Sequence, residues 1–288
     1  MFANCSDVLL QNVPIGVLYL NVGLFFGVLY ALVLYAMIAS KLMQDCSCYT
    51  IMFCMGLVDV LVMANGALVS GVYSVVGVNE RVCGLLSITA THSRWRNIHG
   101  ALMAACWYTY CPLSLVLAVN RLINLHSERL SEVLFSNGRV YLWVSACCSY
   151  GALSFVLSMG YIGYWVYQPS LGINFPHGKQ IIVALSINNW STVLLLPAPY
   201  VVVGVLLHGL STKISEQSEL GRKARRKEKR ILIQCFIIVL FTWASAISYV
   251  LVTTIQPTAS IFYQLAHNAW LCTHVGKLLL KKVIGARV

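Results

Sequence analysis

Between Pro14 and Ala39 the chain runs for 26 residues without a charged side chain, and no other feature restricts its fold as much. A helix of about 20 apolar residues crosses the hydrocarbon core of a bilayer. In lipid every backbone N–H and C=O must find its partner within the protein, so such a stretch is a helix or part of a closed barrel. A barrel would show alternating strands of about 10 residues, whereas this stretch is continuously apolar. Six more stretches follow, and the expected spans are about 14–39, 49–73, 98–120, 139–162, 181–208, 231–254 and 260–280. The last carries Gln264, His267, Asn268 and His274, and inserts only with help from its neighbours. The expected fold is an all-α membrane protein, a seven-transmembrane helix bundle. Its connections are short and no internal repeat divides it, so residues 1–288 are expected to form a single domain.

Composition and charge set the orientation. The chain is 59% hydrophobic and 10% charged, against about 25% charged in a soluble domain. Its net charge of +11 would suit a nucleic-acid binder only if it lay on the polar surface of a soluble fold, so no nucleic-acid partner is expected. Basic residues mark the cytoplasmic side of a membrane protein. With the N-terminus outside, sixteen of the twenty Lys and Arg fall inside, and only Arg81, Arg94, Arg96 and Lys179 fall outside. The expectation is therefore N-terminus outside and C-terminus inside. The first span is too long for the 7–15-residue apolar core of a cleaved signal peptide, and no basic residue precedes it.

Eleven cysteines do not make a disulfide scaffold. Cys54, Cys106, Cys111, Cys147, Cys148, Cys235 and Cys272 fall within spans, where a thiol behaves as a small apolar group. Cys46 and Cys48 lie on the reducing side. Cys5 and Cys83 face the oxidising side, so the expected bridge is Cys5–Cys83, with two free thiols as the alternative. Beside it the sequence NCS at 4–6 is a glycosylation acceptor at Asn4. The NWS sequence at 189–191 lies inside a span and is discounted.

A seven-helix chain can be a receptor, a transporter or an intramembrane enzyme. An ionisable residue inside a membrane is costly and therefore usually functional. The first six spans contain one acid, Asp59, near the middle of the second; Arg121 closes the third span in the run SLVLAVNRLINL. A metal-dependent hydrolase would need converging ligands. His267 and His274 are seven apart and share a face, but no HExxH pattern is present, so neither enzyme activity nor a metal or other cofactor is expected. A transporter would show matched helix breaks in its two halves, and the break LPAPY at 196–200 has no counterpart.

The stretch SCYTIMFCMGLVDVLVMANGALVSGVYSVVGV followed by Cys83, the close LAVNR of the third span, and ILIQCFIIVLFTWASAISYVLV in the sixth resemble the class T (Srt) family of nematode serpentine chemoreceptors. The resemblance covers most of residues 4–255. It implies a seven-helix receptor that binds a small molecule from outside and activates a heterotrimeric G protein, at the plasma membrane of chemosensory neurons. The seventh span departs from such receptors, ending HVGKLLLKKVIGARV without a polar Asn-containing close, so a divergent receptor that does not signal is a further alternative. The resemblance also implies signalling roles for Asp59 and Arg121. Where many such receptors hold an acid before that arginine, this chain has Asn120, and Glu228 is the acid expected to partner Arg121. The plainer alternative is that Arg121 anchors its helix at the headgroups. For Asp59 the expected partners are Ser114 and Asn268, with a sodium ion as the alternative.

Stepping by three or four residues from Arg121 passes Leu117, Ser114, Tyr110, Trp107 and Met103. Met103 and Trp107 are candidate ligand contacts for a small apolar or aromatic molecule, although such stripes are commonly plain packing. Asn189 and Trp190 in the fifth span, Trp243 and Tyr249 in the sixth, and His267 in the seventh are added to this candidate pocket. The run RKARRKEKR, 222–230, joins the fifth and sixth spans, where it meets anionic lipid headgroups and adds to the surface offered to a G protein.

Overall fold

In a computed structural model the chain forms a bundle of seven long helices. The structure describes residues 6–40, 47–83, 86–87, 92–136, 138–159, 162–168, 171–202, 219–255 and 258–285. The long helices are α1 (Val13–Ala39), α2 (Ser47–Val76), α3 (His92–His126), α5 (Arg139–Ser158), α6 (Lys179–Val202), α7 (Glu219–Ile255) and α8 (Ser260–Gly285). A short helix α4 (Glu128–Phe135) follows α3. Six of the long helices carry an apolar window long enough to cross a membrane. The remaining one, α8, is interrupted by polar residues, and two of these, His267 and His274, are fully buried. These two histidines and Thr273 thus face the bundle, as insertion of the helix requires. By contrast α1 turns Phe25, Val28, Leu32 and Tyr35 outward, as suits contact with lipid.

Two features depart from the expected spans. First, α7 begins at Glu219, so the basic run 222–230 is the helical extension of the sixth span and not a loop. Second, among the described residues five short strands lie at one end of the bundle. β1 (Ser6–Leu10) pairs antiparallel with β2 (Val78–Cys83), which pairs with β3 (Leu86–Ser87). β4 (Tyr164–Gln168) and β5 (Ile173–His177) form a hairpin. Backbone that leaves a helix in a loop needs other partners, and strand pairing supplies them. The signal for the hairpin is the YWVYQ and INFPH pair of segments around Pro169 and Gly172. It is short and lies between much stronger helical signals.

The hairpin is pinned to several helices. Tyr19 of α1 donates to the Gly172 carbonyl at 2.7 Å, and Ser74 of α2 shares a 2.7 Å hydrogen bond with the Tyr167 hydroxyl. The Trp165 amide donates to Asn97 Oδ1 of α3 at 3.1 Å, and Phe175 stacks edge-on against Tyr263 of α8 with centroids 6.0 Å apart. Trp165 can sit against α3 only because residue 100 is glycine: a Cβ there would lie 2.5 Å from the Trp165 Cβ. Burial of Tyr167 between these partners raises its phenol pKa, with the Ser74 hydrogen bond opposing the shift.

Small residues set the approach of α1 to α2, the usual way helices pack where lipid replaces water. A Cβ on Gly71 would lie 2.9 Å from Leu20 Cγ and 3.0 Å from the Gly16 carbonyl oxygen. Gly71→Val should therefore force the two helices apart and destabilise the fold by about 2 kcal/mol. A lowered thermal midpoint in detergent checks this, with Gly27→Ala as the control, since the nearest atom there is 3.9 Å away.

Candidate functional site

The middle of α2 is not α-helical. Residues Met63–Val69 form a π-helical turn, a feature that often marks functional positions. It presents two backbone carbonyls to histidines on other helices. His99 Nε2 of α3 lies 2.9 Å from the Asn65 oxygen, and His267 Nε2 of α8 lies 3.4 Å from the Gly66 oxygen. A carbonyl can only accept, so each Nε2 carries the proton. That leaves His267 Nδ1 to accept from the Tyr249 hydroxyl of α7, 3.4 Å away. Gly66 also makes room for Trp270: a Cβ there would lie 2.8 Å from the Trp270 ring.

Four residues before the π-turn, Asp59 is fully buried with its Oδ1 2.6 Å from His274 Nδ1 of α8. The expected partners serve elsewhere: the Ser114 hydroxyl donates to the Tyr110 carbonyl, and the Asn268 amide donates to the Gln264 carbonyl. The partner was missed because His274 lies 215 positions away in sequence, and only the packing of α8 on α2 joins them. Aromatic rings enclose the pair. Tyr110 meets the His274 ring at 4.6 Å and Trp270 meets it at 5.2 Å, both edge-on. Tyr30 of α1 also adjoins Asp59. Trp270 stands 5.2 Å from His267 as well, so it separates the two histidines. Among the described residues no group of three or more His, Cys, Asp or Glu converges as metal ligands would.

Trp270 is also one wall of a small cavity. Met103, Ala104 and Trp107 of α3 form a second wall, and Leu185 of α6 with Tyr249 of α7 a third. Trp165 and Asn174 of the hairpin cover it. The cavity has about 30 Å³ of room for the centres of water-sized molecules, enough for about two waters. A larger molecule must shift the hairpin or re-pack an adaptable side chain such as Met103.

The structure thus brings Met103, Trp107 and Tyr249 together around one cavity and places two other candidates just behind them. Asn189 accepts from the Trp107 indole at 2.8 Å, and His267 meets Tyr249. Trp243 and Trp190 do not line it: Trp243 is 36% exposed with its indole donating to the Val193 carbonyl, and Trp190 is 51% exposed. Trp165, Asn174 and Trp270 were not legible as pocket residues. The 267, 270, 274 spacing on α8 carried a signal for Trp270, but nothing local brings a loop hairpin over α3.

At the far end of α3, about 32 Å from Gly100 at 1.5 Å per residue, Arg121 is 5% exposed. An arginine serving only as a headgroup anchor would extend to the membrane surface, whereas this one is enclosed by the bundle. Asn120 donates to the Ser47 hydroxyl at the start of α2 at 3.0 Å. Asn4 and Cys5 lie outside the described residues, as do the side chains of Cys83 and Glu228.

The buried pair should behave as a unit. Asp59→Leu leaves His274 without its carboxylate and should destabilise the protein by about 3 kcal/mol. The double variant Asp59→Leu/His274→Leu should recover most of that loss. Thermal midpoints of the purified single and double variants check the coupling.

The fold is shared with a solved structure. Squid rhodopsin superposes with a TM-score of 0.68 at 11% sequence identity, over 93% of this chain and 82% of that one. No curated protein matches the chain in sequence. The profile described as serpentine type 7TM GPCR chemoreceptor Srt matches residues 3–280. Nearly the whole chain is covered, including the Asp59, Arg121 and cavity-lining positions, and the chain belongs to the Srt family of serpentine chemoreceptors.

Proposed function

We propose that the chain is a single-domain chemosensory receptor. It binds a small molecule in the cavity beneath the β4–β5 hairpin and activates a heterotrimeric G protein at its opposite end. The observation that carries this reading is the short path from cavity to core. Trp270 lines the cavity and touches His274, the partner of Asp59. Trp107, also in the wall, stacks on Tyr110 with centroids 6.3 Å apart, and Tyr110 in turn touches His274. A molecule that re-packs either tryptophan alters the contact between α2 and α8, and such packed interfaces switch between discrete arrangements.

The hairpin end faces outward in this reading, because sixteen of twenty basic residues then lie inside. The receptor resides in the plasma membrane, consistent with its family, and chemosensory neurons are the expected cells. The Cys5–Cys83 bridge fits the strand pairing. The β1–β2 ladder reaches Ser6↔Val82, one residue short of each cysteine in sequence. Asn4 should carry a glycan, so glycosidase treatment of intact cells should increase the mobility of the protein on a gel; an unchanged Asn4→Gln variant would count against the orientation.

Arg121, with Asn120 and Glu228, is assigned to the signalling end. With no acid at position 120, Glu228 is the acid assigned to restrain Arg121, and basal signalling should be measurable. In a reporter cell at matched surface expression, Arg121→Ala should abolish coupling, while Glu228→Gln should raise basal output about twofold to fivefold. Normal signalling by Arg121→Ala would refute the assigned mechanism. Ligand-evoked reporter output that Trp270→Ala removes tests the receptor reading as a whole.

A further inference from the structure

We infer that the ligand is a small neutral molecule carrying a carbonyl or hydroxyl oxygen, which the Trp165 indole N–H and the Asn174 carboxamide of the hairpin hold. This inference rests on the receptor reading above and specifies what its cavity recognises.

Trp165 and Asn174 are 4% and 3% exposed, and both line the cavity. Trp165 Nε1, Asn174 Nδ2 and Asn174 Oδ1 have no hydrogen-bond partner among the described residues. Folds pair nearly all their buried polar groups, because leaving one unpaired forfeits its hydration without return. Here three such atoms occur on two side chains of one small hairpin. Their positions are fixed by the contacts of Trp165 with Asn97 and Gly100, and by the register that sets Tyr167 opposite Asn174 and Trp165 opposite Pro176. Side chains of residues 165, 167 and 174 therefore share one face of the hairpin, with 165 and 174 diagonal neighbours.

Two other polar groups at the cavity are already engaged: the Trp107 indole with Asn189, and the Tyr249 hydroxyl with His267. The free groups of the hairpin are two donor sites and one acceptor. One oxygen with two lone pairs can accept from both donors, and a hydroxyl can also donate to Asn174 Oδ1. Among the described residues, no Asp, Glu, Lys or Arg lines the cavity, so a charged ligand would meet no counter-charge from them, which is strongly unfavourable. The remainder of the molecule meets Met103, Trp107, Leu185 and Trp270, and must be apolar.

The test uses the full chain in lipid nanodiscs and two matched sets of probes. One is acetophenone, 1-phenylethanol, ethylbenzene, benzoate and 1-phenylethylammonium; the other is 2-heptanone, 2-heptanol, heptane, hexanoate and heptylammonium. Binding is read by thermal midpoint and by tryptophan fluorescence. In at least one set the ketone or alcohol should bind about tenfold more tightly than its hydrocarbon, and the charged members should not bind. Trp165→Phe and Asn174→Leu should each weaken that binding about tenfold. Without ligand, Asn174→Leu should melt no lower than the parent protein, because it removes an unpaired amide. The inference is overturned if a hydrocarbon or charged member is preferred, or if no ketone or alcohol binds. It is equally overturned if Asn174→Leu lowers the midpoint and leaves the preference unchanged, which would make Asn174 structural. The two readings separate cleanly. Selective binding without any reporter response refutes the receptor reading alone, whereas signalling driven by a charged compound refutes only the ligand class.

Discussion

Asp59 puts a carboxyl group about 18 Å along α2 from Ser47, at 1.5 Å per residue, where lipid would surround it if the bundle did not. Such a group is tolerated only with a partner, and His274 provides one at 2.6 Å. The contact ties the second long helix to the last one. Much of the interior is arranged around it: Tyr110 and Trp270 shield the imidazole, and Tyr30 covers the side toward α1. In so dry a setting a hydrogen bond is stronger than at a surface, and its loss correspondingly costlier. This contact also helps to hold α8 in place, the long helix whose described residues lack an apolar window long enough to cross a membrane.

The π-turn of α2 adds a second set of ties at the next level toward the hairpin. Its carbonyls receive His99 and His267, and Gly66 admits the Trp270 ring. Trp270 is therefore a shared element: it packs on the π-turn, on both histidines of α8 and against the cavity. The hairpin closes the cavity from above through hydrogen bonds to α1, α2 and α3. A molecule entering the cavity meets this tryptophan directly, so the distance between binding and the polar core is one side chain.

The opposite end is built differently. Asn120 bonds to Ser47 and so joins the close of α3 to the start of α2, while Arg121 is enclosed. The basic run continues α7 as a helix.

Hydrophobic run length by itself determined the membrane setting and marked six of the long helices, because crossing a bilayer is a matter of how many consecutive residues are apolar. The motif around Asp59 and the LAVNR close likewise identified the family. Local pattern also marked Met103, Trp107 and Tyr249, whose spacing and chemistry suit an interior face. It did not determine which polar groups meet. Asp59 and His274 stand 215 positions apart, and Trp165 and Asn174 reach the cavity only because the hairpin folds back across the bundle onto Gly100. Trp243 was misplaced for the same reason, since composition says that a residue is apolar and not which neighbour it will turn toward. Span and period are properties of consecutive residues, whereas partner and pocket depend on how separate helices rotate and pack, and only the tertiary structure decided those.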